Sequence, residues 1–234
     1  MTGVDPTAGL PRPLRLGVLV SGGGTNLQAV LDAVGAGLPV TPAVVVSNRP
    51  DAHALVRAAR FGVASAVVDH RRFSDRAAFE DALLAALAPH DVGVVVLAGF
   101  MRLLTPRFLD AFPLRVVNVH PALCPAFPGT DAPARALAAG VRLTGCTVHL
   151  VDAGTDTGPI LAQAAVPVAP DDTAETLHRR IQREEHRLLP LALGWLGEGR
   201  VRVHGRRTEI QSVGHQPGGV EIQTEAPWQS TSTL

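Results

Sequence analysis

The sequence predicts an α/β protein: a doubly wound, mostly parallel sheet with an antiparallel strand near the C-terminal part. Two observations carry that reading. Through the first 120 residues, short runs of Val, Leu and Ala alternate with helix-like segments, the order that builds strand–helix–strand crossovers. Several of these runs are apolar throughout, as strands covered on both faces are.

The elements follow in order. Residues 1–12, rich in Pro, Gly and small polar types, read as a disordered tail. "LRLGVLV" (14–20) reads as a buried strand, followed by a glycine loop and a helix beginning near Asn26. "PAVVVS" (42–47) is the second strand, with a helix over 51–61. "ASAVVD" (64–69) is the third, and 75–88 is a helix with Phe79, Leu83, Leu84 and Leu87 at helical spacing. "VGVVVLAG" (92–99) and "RVVNVH" (115–120) are the fourth and fifth strands. "TGCTVHLVD" (144–152) and "PILAQAAVPV" (159–168) have only a short connection, which favours an antiparallel pair. A long helix runs from Thr173 to about Leu196, capped by Asp172 or Thr173. Its apolar stripe is Leu177, Ile181, Leu188, Leu189, Ala192 and Leu196. The pattern makes 13–204 one domain and 205–234 a C-terminal extension, partly disordered.

Composition narrows the chemistry. The chain of 234 residues has a formal net charge of zero, which argues against nucleic-acid binding by bulk charge. All 21 basic residues are Arg, so Schiff-base chemistry on lysine is excluded. Two cysteines, Cys124 and Cys146, are too few for a disulfide framework and suit a reducing cytoplasm. Neither a signal peptide nor a membrane-spanning stretch is expected. A homodimer is compatible with the sequence.

Three stretches carry candidate chemistry. "SGGGTN" (21–26) joins a strand to a helix, so its backbone N–H groups and the helix N-terminus suit a phosphate monoester. It lacks the Gly-Lys-Ser/Thr ending of a triphosphate loop. The plainer reading is a tight turn that needs glycine for geometry alone. Asn118 and His120 end the fifth strand two residues apart, on one face. There an amide can donate to an oxyanion and an imidazole can carry a proton; loop-anchoring hydrogen bonds are the alternative. Asp152 and Asp156 lie in a Gly- and Thr-rich loop, where aspartate is most often a turn former. Either one beside His120 would set its protonation, and a metal site from His120, His149 and Asp156 is conceivable. Glu185 falls on the apolar stripe of the long helix, a costly place unless an arginine or a polar ligand pairs with it.

Taken together, "SGGGTNLQA" (21–29), "VVVLAGFMRLL" (94–104), "NVHPALCPAFPG" (118–129), "GCTVHLVDAGTDTGPIL" (145–161) and "EEHRLLP" (184–190) resemble the phosphoribosylglycinamide formyltransferases, over roughly residues 14–204. The resemblance implies transfer of a formyl group from 10-formyltetrahydrofolate to the amine of glycinamide ribonucleotide, a step of purine synthesis, without a metal. By matching positions it makes Asn118, His120 and Asp156 the catalytic trio, with Asp156 holding His120 charged. Gly24, Thr25 and Asn26 would grip the phosphate and Glu185 the ribose hydroxyls. The folate would lie along Met101, Arg102, Leu103 and Leu104, beside Asn118, with Arg76 nearby.

The sequence departs from the family's pattern at Gly23, where Asn is frequent, at Cys124 and Ala126, where Leu and Lys are usual, and at Asp131, where some members have His. Two alternatives stand beside the transferase: a formyltetrahydrofolate deformylase, which uses a similar trio, and a non-catalytic nucleotide-binding module. The second leaves the polar strand end and the inward Glu185 unexplained.

Overall fold

The computed structural model describes residues 3–212. Its main sheet holds β1 (Leu14–Val20), β2 (Val40–Ser47), β3 (Ala64–Val67), β4 (Val94–Leu97), β5 (Val116–His120), β6 (Leu143–Leu150) and β7 (Ile160–Pro167). The strand order is β3-β2-β1-β4-β5-β6-β7. Pairings are parallel from β3 through β5, and β6 runs antiparallel to both β5 and β7. The helices are α1 (Thr25–Gly35), α2 (His53–Arg60), α3 (Arg76–Leu87), α4 (Pro106–Leu109), α5 (Ala132–Ala138) and α6 (Ala174–Gly197).

The all-apolar strands are explained by the layers. Along β1, Val18 and Val20 face one core with Leu27, Leu31, Ile181 and Leu189, from α1 and α6. Leu19 between them faces a second core with Phe79 and Leu83 of α3 and Phe108 of α4. Both sides of the pleat are buried, so the period-two signal of a half-exposed strand vanishes. The six stripe residues of α6 are all buried. Its start is settled by Thr173, whose hydroxyl accepts from the Thr176 N–H while the Thr176 hydroxyl accepts from the Thr173 N–H.

The fourth strand stops at Leu97, short of the expected 99: the Ala98 N–H still donates to Leu19 O (3.0 Å), but Gly99 then turns into the left-handed region (φ +74°). Helices α4 and α5 were not expected. Each is short and opens on a proline at its first turn, where proline is tolerated but hides the helical pattern.

The expected disordered tail is instead bound over its described residues. Val4 exchanges backbone hydrogen bonds with Val203 (2.9 and 2.8 Å), Arg202 pairs with Asp5 (3.0 Å), and the Arg12 guanidinium donates to the Leu196 carbonyl (2.7 Å). Those partners, apart from Leu196, belong to an antiparallel hairpin, β8 (Val201–His204) and β9 (Arg207–Ile210). The hairpin crosses residue 204, where the sequence placed the domain's end. Val201 and Val203 lie in the core, and the Thr208 hydroxyl donates to the Ile160 carbonyl. The remainder of the expected C-terminal extension, 213–234, lies outside the described residues. Among the described residues, no helix is long and apolar enough to cross a membrane.

The strand order reverses between β1 and β4. In open α/β sheets the crevice beyond the carboxyl ends at such a reversal is where ligands bind. The glycine loop leaves β1 there, Gly99–Leu104 leaves β4, and β5 delivers Asn118 and His120 alongside.

Candidate active site

All three carbonyls of the glycine loop are held from behind. Gly22 O accepts from the Ala54 N–H (3.0 Å), Gly23 O from Arg57 Nε (2.8 Å) and Gly24 O from the Gln28 N–H (2.9 Å). The backbone N–H groups of Gly22 to Asn26 have no protein acceptor among the described residues. The first turn of α1 carries no acidic side chain. Free N–H groups at a helix N-terminus make an anion cradle. Gly24 is required: its φ is +71°, and a Cβ there would stand 2.6 Å from the Ala54 Cβ. Gly23 has nothing within 4 Å, so the asparagine frequent in the family would fit there.

The loop opens into a cavity of about 720 Å³ whose far wall is the face of α6 carrying His178, Gln182 and Glu185. Gln182 donates to the Thr25 hydroxyl (3.0 Å). Glu185 is only 4 % exposed, and its partner is not an arginine: Asn26 Nδ2 donates to its Oε2 (3.0 Å). Burial pushes the Glu185 carboxyl up, partly offset by that hydrogen bond. The Asn26 Oδ1 is buried without a partner.

Asn118, His120 and Asp156 come together, with His149 of β6 beside them. Asn118 Nδ2 lies 3.2 Å from His149 Nε2 and donates to Asp156 Oδ1 (3.3 Å). His120 Nδ1 is 3.3 Å from Asp156 Oδ2, and its Nε2 is 2.9 Å from the Phe127 carbonyl. Both ring nitrogens of His120 thus face acceptors, an arrangement that a doubly protonated ring satisfies and a neutral ring half satisfies. Burial raises the Asp156 carboxyl, but hydrogen bonds from His149 and the Gly129 N–H (2.7 Å), with the charge of His120, outweigh it and leave it below its ordinary value. Apart from the Gly129 bond, the contacts to Asp156 are long for charge-assisted ones. The donors are held near the carboxylate without being saturated by it.

The two aspartates of the loop separate cleanly. Asp152 Oδ1 accepts from the Gly154 N–H (3.0 Å) and the Thr157 hydroxyl (2.6 Å), so it builds the turn. Asp156 takes left-handed backbone (φ 53°), which aspartate tolerates, and reaches the histidines.

The loop after β5 is pinned from the sheet. The Thr147 hydroxyl donates to Ala122 O (2.7 Å) and accepts from the Cys124 N–H (2.9 Å), while Gln163 Nε2 donates to Cys124 O (3.0 Å). Phe127, which offers its carbonyl to His120, has φ 53°. A bulky residue in that region costs of order 1–3 kcal/mol, a conformation the pinned loop maintains.

The trio forms the floor of a second cavity, about 630 Å³, walled by Leu97, Phe100, Leu104 and Val151 and open toward Met101, Arg102 and Leu103. The two cavities share Gly99, Met101, Arg102, Val119, Pro121 and His178, so they adjoin. Asp131 lines the second cavity. Arg76, expected near the folate, is the exposed first residue of α3 and lines neither cavity; Arg49, Arg71 and Arg102 line the first, and Arg102 the second as well.

His120 and His149 each turn one ring nitrogen to a backbone carbonyl. Among the described residues, no group of three or more His, Cys, Asp or Glu is set out to hold a metal ion. Burial pushes both thiols up, Cys146 to about 12, as expected for inert side chains.

Sequence reasoning missed Gln182, His178, Arg57 and Glu80. Gln182 and His178 were within reach, since they lie three and seven residues before Glu185 and therefore on its face. Glu80 supports the β4 end of the second cavity: buried on α3, it accepts from the Thr105 N–H (2.8 Å) and hydroxyl. Its polar partner lies 25 residues away, and no local pattern announces it.

The family model described as "Formyl transferase" matches residues 14–193. The chain is 50 % identical over 203 residues to the phosphoribosylglycinamide formyltransferase of Mycobacterium tuberculosis, covering 87 % of this chain and 92 % of that one. It is 42 % identical over 191 residues to the trifunctional purine biosynthetic protein adenosine-3 of Drosophila melanogaster, 80 % of this chain and 14 % of that one. Among solved structures, glycinamide ribonucleotide transformylase 1 from Symbiobacterium toebii superposes with a TM-score of 0.84 at 50 % identity, covering 85 % of this chain and 94 % of that one.

Proposed function

The chain belongs to the formyl transferase family, and on that premise we propose that it transfers the formyl group of 10-formyltetrahydrofolate to the amine of glycinamide ribonucleotide, in purine biosynthesis. The observation that carries the reading is the junction of two cavities: an anion cradle with a buried carboxylate on one side, and Asn118, His120 and Asp156 on the other.

The ribonucleotide phosphate binds the free N–H groups around Gly24, Thr25 and Asn26. Its ribose hydroxyls donate to Glu185. The amine then crosses the shared wall toward the trio. The folate lies in the second cavity, its flat ring system between the apolar walls and its tail along Met101–Leu104.

The amine lone pair forms the new C–N bond while the carbonyl π pair moves onto oxygen. That oxyanion accepts from Asn118 Nδ2 and from Nδ1 of protonated His120, whose contacts to Asp156 are both long (3.3 Å), while His120 Nε2 stays on the Phe127 carbonyl. A donor of this kind contributes about 10²–10³ in rate. Asp156, ionised at neutral pH, holds the charged His120 and accepts a proton from the attacking nitrogen through water. The same proton passes to N10 of the folate as the C–N10 bond breaks and the carbonyl re-forms. The products are the formylated amide and tetrahydrofolate. The enzyme works in the cytoplasm on small molecules.

The test mixes purified protein with 10-formyltetrahydrofolate, with and without glycinamide ribonucleotide, and follows folate absorbance. Turnover that requires the ribonucleotide and yields formylated product is expected. Equal turnover without it would make the protein a deformylase and remove the phosphate reading.

A further inference from the structure

The anion cradle has a cation behind it. Arg57 of α2 points its guanidinium at the rear of the glycine loop, with Nε donating to Gly23 O (2.8 Å) and Nη1 to Gln28 Oε1 (3.0 Å). Gln28 is itself fixed, its amide donating to Asp32 Oδ1 (2.8 Å). Among the described residues no carboxylate lies within ion-pairing distance of Arg57. Of the three arginines on the cavity wall, Arg49 is paired with Asp51 (3.1 Å), Arg71 is paired with Asp69 (2.8 Å), and Arg102 makes no hydrogen bond to the glycine loop among the described residues. Arg57 therefore brings an uncompensated charge into direct contact with the cradle's backbone.

Two effects follow from the geometry. A carbonyl oxygen near a phosphate repels it, and the Nε bond holds the Gly23 oxygen away on the α2 side. Polarising that carbonyl also strengthens the next N–H as a donor, since hydrogen bonds in a chain reinforce one another. We infer that Arg57 is the positioning residue of the phosphate half-site: it sets the anion affinity of the glycine loop through the Gly23 peptide, without touching the ligand. The kinetic part of the test rests on the transfer reaction proposed above; the binding part does not.

Arg57→Ala and Arg57→Lys are compared with the wild type in two assays. In the first, steady-state kinetics are measured with glycinamide ribonucleotide and with its dephosphorylated ribonucleoside. Arg57→Ala is expected to raise the ribonucleotide KM about 10- to 100-fold, the scale of a lost charge-assisted hydrogen bond. It should leave kcat within about threefold, leave the KM for formyl folate unchanged, and match the wild type on the ribonucleoside. Arg57→Lys restores charge but not a planar fork that spans both acceptors, and should recover part of the loss. An equal loss on ribonucleotide and ribonucleoside, or an unchanged KM, overturns the inference.

In the second assay, inorganic phosphate is titrated and the rise in Tm recorded, a readout that needs no turnover. Protection of the wild type that is lost in Arg57→Ala and partly regained in Arg57→Lys supports the inference even if no formyl transfer is found. Equal protection of all three proteins, or none of the wild type, overturns it.

Discussion

Two glutamates are buried on opposite faces of the sheet and held in opposite ways. Glu80, on the α3 side, is fully buried, and both its oxygens are engaged by Thr105. Glu185, on the α6 side, is almost as buried but has one protein donor, Asn26, and borders the cavity in front of the glycine loop. A buried polar group in a native fold is normally satisfied. Glu80 obeys that rule and belongs to the scaffold. Glu185 departs from it toward a cavity, which fits the ribose-binding role proposed for it.

A third carboxylate, Asp156, is held differently from both. Asp156 lies within 3.3 Å of His120 and 3.5 Å of His149, and the proposed reaction gives it a role in proton transfer. Asp156→Asn should lower kcat by about 10²–10⁴, with an unchanged circular dichroism spectrum and a modestly lower Tm at neutral pH. Near-normal turnover would remove it from the mechanism. Because its folded pKa is depressed, Asp156 contributes stability above the ordinary aspartate value, and this is lost as pH falls through the folded value.

Next, the two glutamates should respond with opposite signs. Glu185→Gln should raise the ribonucleotide KM about 10-fold or more and raise the Tm of the ligand-free protein by about 2–4 °C. Burial raises the Glu185 pKa, so its stabilising contribution is complete below the ordinary glutamate value and lost as pH rises through the folded value. The Tm gain should therefore be present at pH 8 and fade toward pH 4; a Tm loss at pH 8 contradicts the contrast. Glu80→Gln should instead cost about 1–3 kcal/mol, read as a lower Tm. It should also raise the KM for formyl folate a few-fold by loosening the β4 end of that cavity, while the ribonucleotide KM stays unchanged. The smallest effect belongs to Gly23→Asn, which has open space to occupy; its KM values should stay within about twofold of wild type, in line with surface substitutions.

Much of this was legible because local pattern and tertiary role coincide. The continuous Val runs reported strands covered on both faces, and Asn118 and His120 reported a sheet edge through their two-residue spacing. Glu185 reported itself by interrupting a stripe. What was not legible depends on distant partners. No spacing tells Asp156 from Asp152; the difference lies in which one the β6–β7 loop turns toward β5. Residues 3–12 look like a tail because they are rich in Pro and Gly, and the β8–β9 hairpin and the end of α6 give them somewhere to bind. Arg57 reads as one more helix arginine until the glycine loop is folded against it.

That clasp between Val4 and Val203 has a consequence for how the molecule opens and closes. Its two strands lie at opposite ends of the described chain, so the loop it closes spans nearly every other element, and it cannot form until the hairpin exists. It gathers few apolar side chains in return: Val4 is itself largely exposed. The arm is then a late-docking, early-releasing unit, with an opening free energy below that of the central strands. In a hydrogen-exchange experiment the Val4 and Val203 amides should gain deuterium together, well before those of β1 and β4, and their release should free the carbonyl end of the helix that carries Glu185.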